Sequence, residues 1–279
     1  VNITLAKTED TVKAQVGKTT TKDEPLYDLT AIEIQNDEAV DNGYVSYSLA
    51  KGQTLPAGLV IYDGKVYGTP KTASAEAQTV KFTVRGQNQT VAEFTLIISS
   101  VEKGIPSFTA GKVGDAYAGK TLADVELPTS AAGKYMWADG TQQVGKAGTS
   151  ETYDAYFVPD DTANYDWSKI DAAEGTYEEL EDGSVRIAVK LSVYVRKQDP
   201  VFTVPENVTA TYGDTVGKIL LPETAGGMFI WENADESVGE VGTKTFLATF
   251  VPEDEDVYER AEHVEITVQI LPANAVFTQ

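Results

Sequence analysis

The stretch "VRIAVKLSVYV", residues 185–195, decides the fold. Val185, Ile187, Val189, Leu191, Val193 and Val195 fall on every second position, with Arg186, Lys190 and Ser192 among the residues between them. Neighbouring side chains of an extended chain point to opposite faces, so this alternation marks a half-buried strand. An amphipathic helix would need apolar positions every three to four residues. Outward from this stretch the same period recurs. "VEITVQI", residues 264–270, places Val264, Ile266, Val268 and Ile270 on one face. "VKFTV" (80–84) and "VAEFTLII" (91–98) are short, β-branched and aromatic, and only a few polar residues separate them, which predicts a hairpin. "LVIYDGKVYG", residues 59–68, holds Asp63-Gly64 between two such runs, and Asp-Gly suits the positive φ angles of a two-residue hairpin turn. Many short strands separated by Gly, Pro, Asn and Asp predict an all-β fold of the sandwich type.

An internal repeat sets the organisation. Ninety-four residues separate Pro106 from Pro200, Phe108 from Phe202, Gly133 from Gly227, Trp137 from Trp231 and Gly148-Thr149 from Gly242-Thr243. One residue then drops out, and Phe157, Pro159, Asp161 and Tyr165 match Phe250, Pro252, Asp254 and Tyr258. Units of this size indicate tandem immunoglobulin-sized domains and not a solenoid of small repeats. The expected fold is three tandem Ig-like β-sandwiches in an elongated arrangement, with domains at 1–101, 102–196 and 197–279. The short stretches around Lys103-Gly104 and Lys197-Gln198 join them. After Tyr165 the second unit inserts about eighteen residues, and "TYEEL" with Asp182-Gly183 predicts an extra hairpin arm on the strand from Val185. At the other end, "ANAVFTQ" is similar to the opening of a further copy, with Phe277 in the place of Phe202.

Composition excludes several kinds of chemistry. The formal charge is −21, from 22 basic and 43 acidic side chains, and such a surface repels nucleic-acid phosphates and anionic lipid heads. With 42% hydrophobic residues the chain can still build cores, and no apolar run is long enough to insert into a membrane. There is no cysteine, so disulfides, thiolate metal sites and cysteine nucleophiles are ruled out.

The phrase "FVPDDTANYD" (157–166) and its echo "FVPEDEDVYE" (250–259) carry most of the candidate chemistry. Pro159 and Pro252 supply no N–H and should end their strands. The acids can cap turn amides. The order Asp161-Thr162-Ala163-Asn164-Tyr165 is similar to the tyrosine corner of immunoglobulin domains, which makes Tyr165 and Tyr258 expected core pegs. The rival use of the phrase is calcium, with Asp160, Asp161, Asp254 and Asp256 as oxygen ligands, although the spaced acids and glycine of a calcium loop are missing. A glycosidase pair would need two carboxyls across one cleft, and a repeat puts equivalent acids in separate domains. No metal, cofactor or catalytic set is therefore expected.

Trp137 and Trp231 share strand faces with Tyr135 and Phe229 and are expected in the core, the alternative being an exposed sugar-stacking platform. Trp167 has no counterpart in the repeat, so Trp167 and Tyr177 of the inserted arm are the expected ligand contacts. His263 reads as a solvated residue at a strand edge, and Lys112 and Lys190 lie where an isopeptide cross-link could form.

"YSLAKGQTLPAGLVIYDGKVYGTP", residues 47–70, resembles the Ig and cadherin-like modules of bacterial surface proteins through Leu55, Pro56, Gly58, Leu59, Gly64, Val66, Gly68, Thr69 and Pro70. The second and third units look like repeats of large cell-wall proteins of Gram-positive gut bacteria, with Asn164-Tyr165 fitting their ending. The resemblance implies a secreted or cell-surface, non-enzymatic stalk or adhesion region, monomeric within a larger chain, whose partner is a protein or a glycan. The alternative is a carbohydrate-binding region of a larger secreted glycan-active enzyme.

Overall fold

The computed structural model describes residues 2–36, 44–86 and 90–274, so the expectation built on Phe277 lies outside the described residues. The chain is all-β, with tandem Ig-like sandwiches and short 3-10 turns as the helical elements among the described residues. By contact density it divides into two compact units. One comprises residues 1–110, 130–134 and 156–189; the other comprises 111–129, 135–155 and 190–279.

In the first unit, strand Glu9–Gln15 pairs in parallel with Val91–Glu102. Gln78–Gly86 and then Val45–Leu49 follow antiparallel. A second sheet of three strands, Tyr27–Asp28, Lys65–Gly68 and Leu59–Tyr62, closes the sandwich. The core between them holds Leu29, Val66, Val80, Phe82, Val84, Phe94 and Leu96, each fully buried. Phe82 faces Phe94 across the hairpin that period-two patterning predicts. Asp63 and Gly64 turn the smaller hairpin with φ of 48° and 73°, the left-handed pair that matches strand twist.

In the second unit, Val208–Thr211 runs parallel to Ala261–Leu271, followed antiparallel by Gly242–Pro252 and Gly227–Trp231. This strand plan repeats that of residues 9–102. Ile266, Val268 and Ile270 alternate into the core with no exposed surface. A sheet with the same logic spans residues 116–196, ordered Thr176–Glu179, Val185–Arg196, Ser150–Pro159, Gly133–Trp137 and Thr129–Ser130; Ala116–Tyr117 lies parallel to Val185–Arg196. The inserted arm is the hairpin expected of it. Thr176–Glu179 pairs with Val185–Ala188, and Asp182 Oδ1 takes the Ser184 amide at 2.9 Å in the turn.

Two matched glycines show why the repeat is kept in register. A Cβ on Gly133 would lie 2.7 Å from the Phe157 ring, and one on Gly227 would lie 2.6 Å from the Phe250 ring. The backbone crosses directly over a buried ring at both places, and any side chain would lift the strand off its core.

Candidate functional site: the joint built by the repeated turn

Both acidic phrases begin at the end of a long strand, Ser150–Pro159 or Gly242–Pro252, and each strand stops at its buried proline as expected. The turn that follows is held by its own acids. Asp161 Oδ1 accepts the Asn164 backbone N–H at 2.8 Å, and Oδ2 accepts the Asn164 side-chain amide at 3.0 Å. These bonds favour the charged form and hold the Asp161 carboxyl below the usual carboxylate range, the backbone bond contributing most. In the second copy, Asp254 Oδ1 accepts the N–H groups of Asp256 and Val257 at 3.1 and 3.2 Å. Asp160 and Asp256 face solvent. Among the described residues, no three acidic or histidine side chains converge on a point that could hold a metal ion.

Tyr165 reaches beyond its own repeat. Tyr165 is half-buried, and its ring packs against the core built by residues 3–101. The turn is thus a joint. Gly104 N–H donates to Asn164 O at 2.8 Å and Asp166 N–H donates to Gly104 O at 2.9 Å, forming a short parallel bridge between Gly104 and Tyr165. Asn164 Oδ1 also accepts the Ala73 N–H at 2.9 Å, and the Lys103 ammonium donates to Thr162 O at 2.6 Å. Gly104 has no room for a side chain: a Cβ would meet Val16 O at 2.6 Å and the Tyr165 ring at 3.0 Å.

The second copy builds the same joint. Gln198 N–H donates to Val257 O at 2.7 Å, Glu259 N–H donates to Gln198 O at 2.9 Å, and Gln198 bridges Tyr258 in parallel. The Gln198 side-chain amide donates to Ala118 O at 2.7 Å. Val257, the counterpart of Asn164, packs with Val113, Trp137 and Ala147 on the core that includes Ala118, Leu122 and Tyr153. One joint is therefore sealed by a half-buried ring and a polar side chain, the other by an apolar side chain.

Trp167 corrects an expectation. It is 4% exposed, not a surface platform. The inserted segment turns back through the 3-10 turn Trp167–Lys169, capped by Asp166, and drops the indole between Phe108 and Phe157 with ring centroids 5.8 and 5.4 Å away. Its Nε1 donates to Asp161 O at 2.9 Å. In the third repeat Phe229 completes the corresponding trio with Phe202 and Phe250, so the unmatched tryptophan serves packing. Trp137 and Trp231 are half-buried on their cores, their indoles donating to Val125 O and Ile219 O. Tyr177 is half-buried, its hydroxyl 3.5 Å from Glu179, beside a shallow cleft of about 280 Å³ that Lys103, Tyr165 and Asp166 also line. A larger groove of about 620 Å³ lies along the first joint, between Gln15 and Ser74 on one side and Ile105, Asp166 and Lys169 on the other. Lys190 pairs with Asp154 at 2.6 Å on the surface.

Sequence reasoning missed Gly104, Gln198, Asn164 and Val257 as the joint's parts. The repeat offset that aligns Gly104 with Gln198 was the available signal, because it sets the two linkers 61 and 60 residues ahead of the matched tyrosines.

The fold and joint define a class, that of tandem Ig-like sandwiches. Residues 9–99 match the family described as "Putative Ig domain", which covers the first sandwich. Among solved structures the chain is similar to the human desmocollin-1 ectodomain, at 9% identity and a TM-score of 0.28, covering 99% of this chain and 60% of that one. It is also similar to mouse cadherin-23 EC22-24, at 13% identity and a TM-score of 0.28, covering 98% and 99%. For Drosophila N-cadherin EC1-4 the values are 10%, 0.25, 94% and 74%. TM-scores this low carry no argument about function, and the chain spans 60% of the desmocollin structure. No curated protein matches the sequence. Among the described residues no helix is long and apolar enough to cross a membrane.

Proposed function

We propose that this chain is a non-enzymatic spacer or adhesion region of an extracellular, bacterial cell-surface protein, made of three domains at residues 1–101, 102–196 and 197–279. One observation carries the reading: the joint occurs twice, at Gly104–Tyr165 and at Gln198–Tyr258, with the same pair of backbone hydrogen bonds. A linker bonded into the following domain's turn, which itself packs on the preceding core, has little freedom left. Rigid connection suits a part whose task is to hold something at a distance. The acidic surface keeps such a stalk soluble and off anionic membranes. The resemblance of the second and third domains to Gram-positive cell-wall repeats supports the same setting. Small-angle X-ray scattering of the intact chain tests it: a profile fitted by one conformation is expected, and one that requires freely jointed domains would overturn the reading.

A further inference from the structure

The joint leaves a question at the third sandwich. In the second sandwich the surface that receives Val257 and Gln198 is built around Ala118, Gly119 and Ala147. The repeat offset places Tyr212, Gly213 and Val241 at those positions in the third. The local backbone is the same: Ala118 N–H donates to Arg196 O and Tyr212 N–H donates to Leu271 O, both at 2.8 Å, and both glycines have φ in the left-handed region. The coverage differs. Ala118 is 4% exposed, whereas Tyr212 is 47% and Val241 51% exposed. A Cβ on Gly119 would touch Val257, whereas one on Gly213 would meet nothing within 4 Å.

We propose that Tyr212, Gly213 and Val241 form a docking surface for the acidic turn of another module of this repeat type. This inference rests on the joint reading above. The occupant follows from continuity with the joint: the same face, one repeat earlier, is covered by a turn of sequence "FVPEDEDVYE" that seats an apolar side chain at the position of Val257. The third repeat replaces the small Ala118 and Ala147 with the larger Tyr212 and Val241, so the incoming side chain meets a ring. A small residue or valine at the seating position fits such a face. A second copy of this chain cannot supply the turn, because both of its phrases are already seated in their own joints.

The test extends the intact chain beyond Gln279 by a second copy of residues 205–279, so that Phe277 takes the register of Phe202. Hydroxyl-radical footprinting then compares Tyr212 with Tyr153, which is 5% exposed. In the original chain Tyr212 should be readily oxidised, and in the extended chain its labelling should fall toward that of Tyr153. Val257→Asp in the added copy should restore the labelling. Tyr212 labelling that stays unchanged beside a folded added module overturns the proposal. So does an added module that folds behind a Gly-Ser spacer but not when directly joined. Val257→Asp in the original chain separates the two levels: if hydrogen exchange of the Gln198 amide, which donates to Val257 O, does not rise there, the joint reading itself fails. If it rises while Tyr212 in the extended chain stays unprotected, only the added docking surface is lost.

Discussion

Gly104 and Tyr165 lie against each other in a parallel bridge, with the glycine backbone held between the Val16 carbonyl and the tyrosine ring. The contact closes the stretch around Gly104 onto the acidic turn, and the ring continues into the core built by residues 3–101. A single bulky atom at this point would push on both sides at once.

Gly104→Ala should therefore destabilise the protein by about 1–3 kcal/mol, the usual cost of overpacking a filled site. Urea denaturation followed by tryptophan fluorescence checks this. An unchanged midpoint would mean that the ring and the linker are not in contact.

Trp167→Ala should cost about 3–5 kcal/mol, because it empties a site between two phenylalanines and leaves Asp161 O without its indole donor. Trp167→Phe should cost less, since a phenyl ring completes the equivalent trio in the third repeat. The ordering of the two urea midpoints is the measurement, and equal midpoints close to wild type would place the indole in solvent.

Much of this arrangement was legible from residue order, and the reasons are physical. Alternation in "VRIAVKLSVYV" and "VEITVQI" reports which face is buried, so strand and core followed directly. Asp63-Gly64 and Asp182-Gly183 carry their turn chemistry locally, so both hairpins were readable. Trp167 was not, because its burial depends on the inserted arm folding back over Phe108, a contact about sixty residues away that no local period encodes. The alternation that marks strands does not say which core Tyr165 enters, because its partners in residues 3–101 are distant in sequence.

Calcium removal should leave stability unchanged. Both oxygens of Asp161 already accept hydrogen bonds from Asn164, and Asp254 Oδ1 accepts two turn amides. A cation bound to the native state alone would raise the midpoint, by an amount that grows with the logarithm of its concentration over its Kd. Melting curves with calcium and with a chelator should superimpose, and a lower midpoint in chelator would restore the acidic turn as a metal site.

His263 should titrate above the ordinary histidine value of 6.5. Its ring Nδ1 lies 2.9 Å from a Glu232 carboxylate oxygen, and that hydrogen bond is the main cause, followed by the charge of the same carboxylate. A histidine raised in the folded state stabilises the fold fully below its unfolded value, and the contribution is lost as pH rises through the folded value. The side chain is 74% exposed, so the stability change is small and the titration itself is the better readout. NMR of the imidazole should give a raised midpoint that Glu232→Gln returns toward 6.5.

The joint is tested most directly by hydrogen exchange at the Gly104 and Gln198 amides in the intact chain. Each donates to an acidic turn, to Asn164 O and Val257 O respectively. Both should exchange slowly, at rates comparable to the adjoining strands Val91–Glu102 and Val185–Arg196. Exchange of both amides as fast as in an open linker would contradict the account.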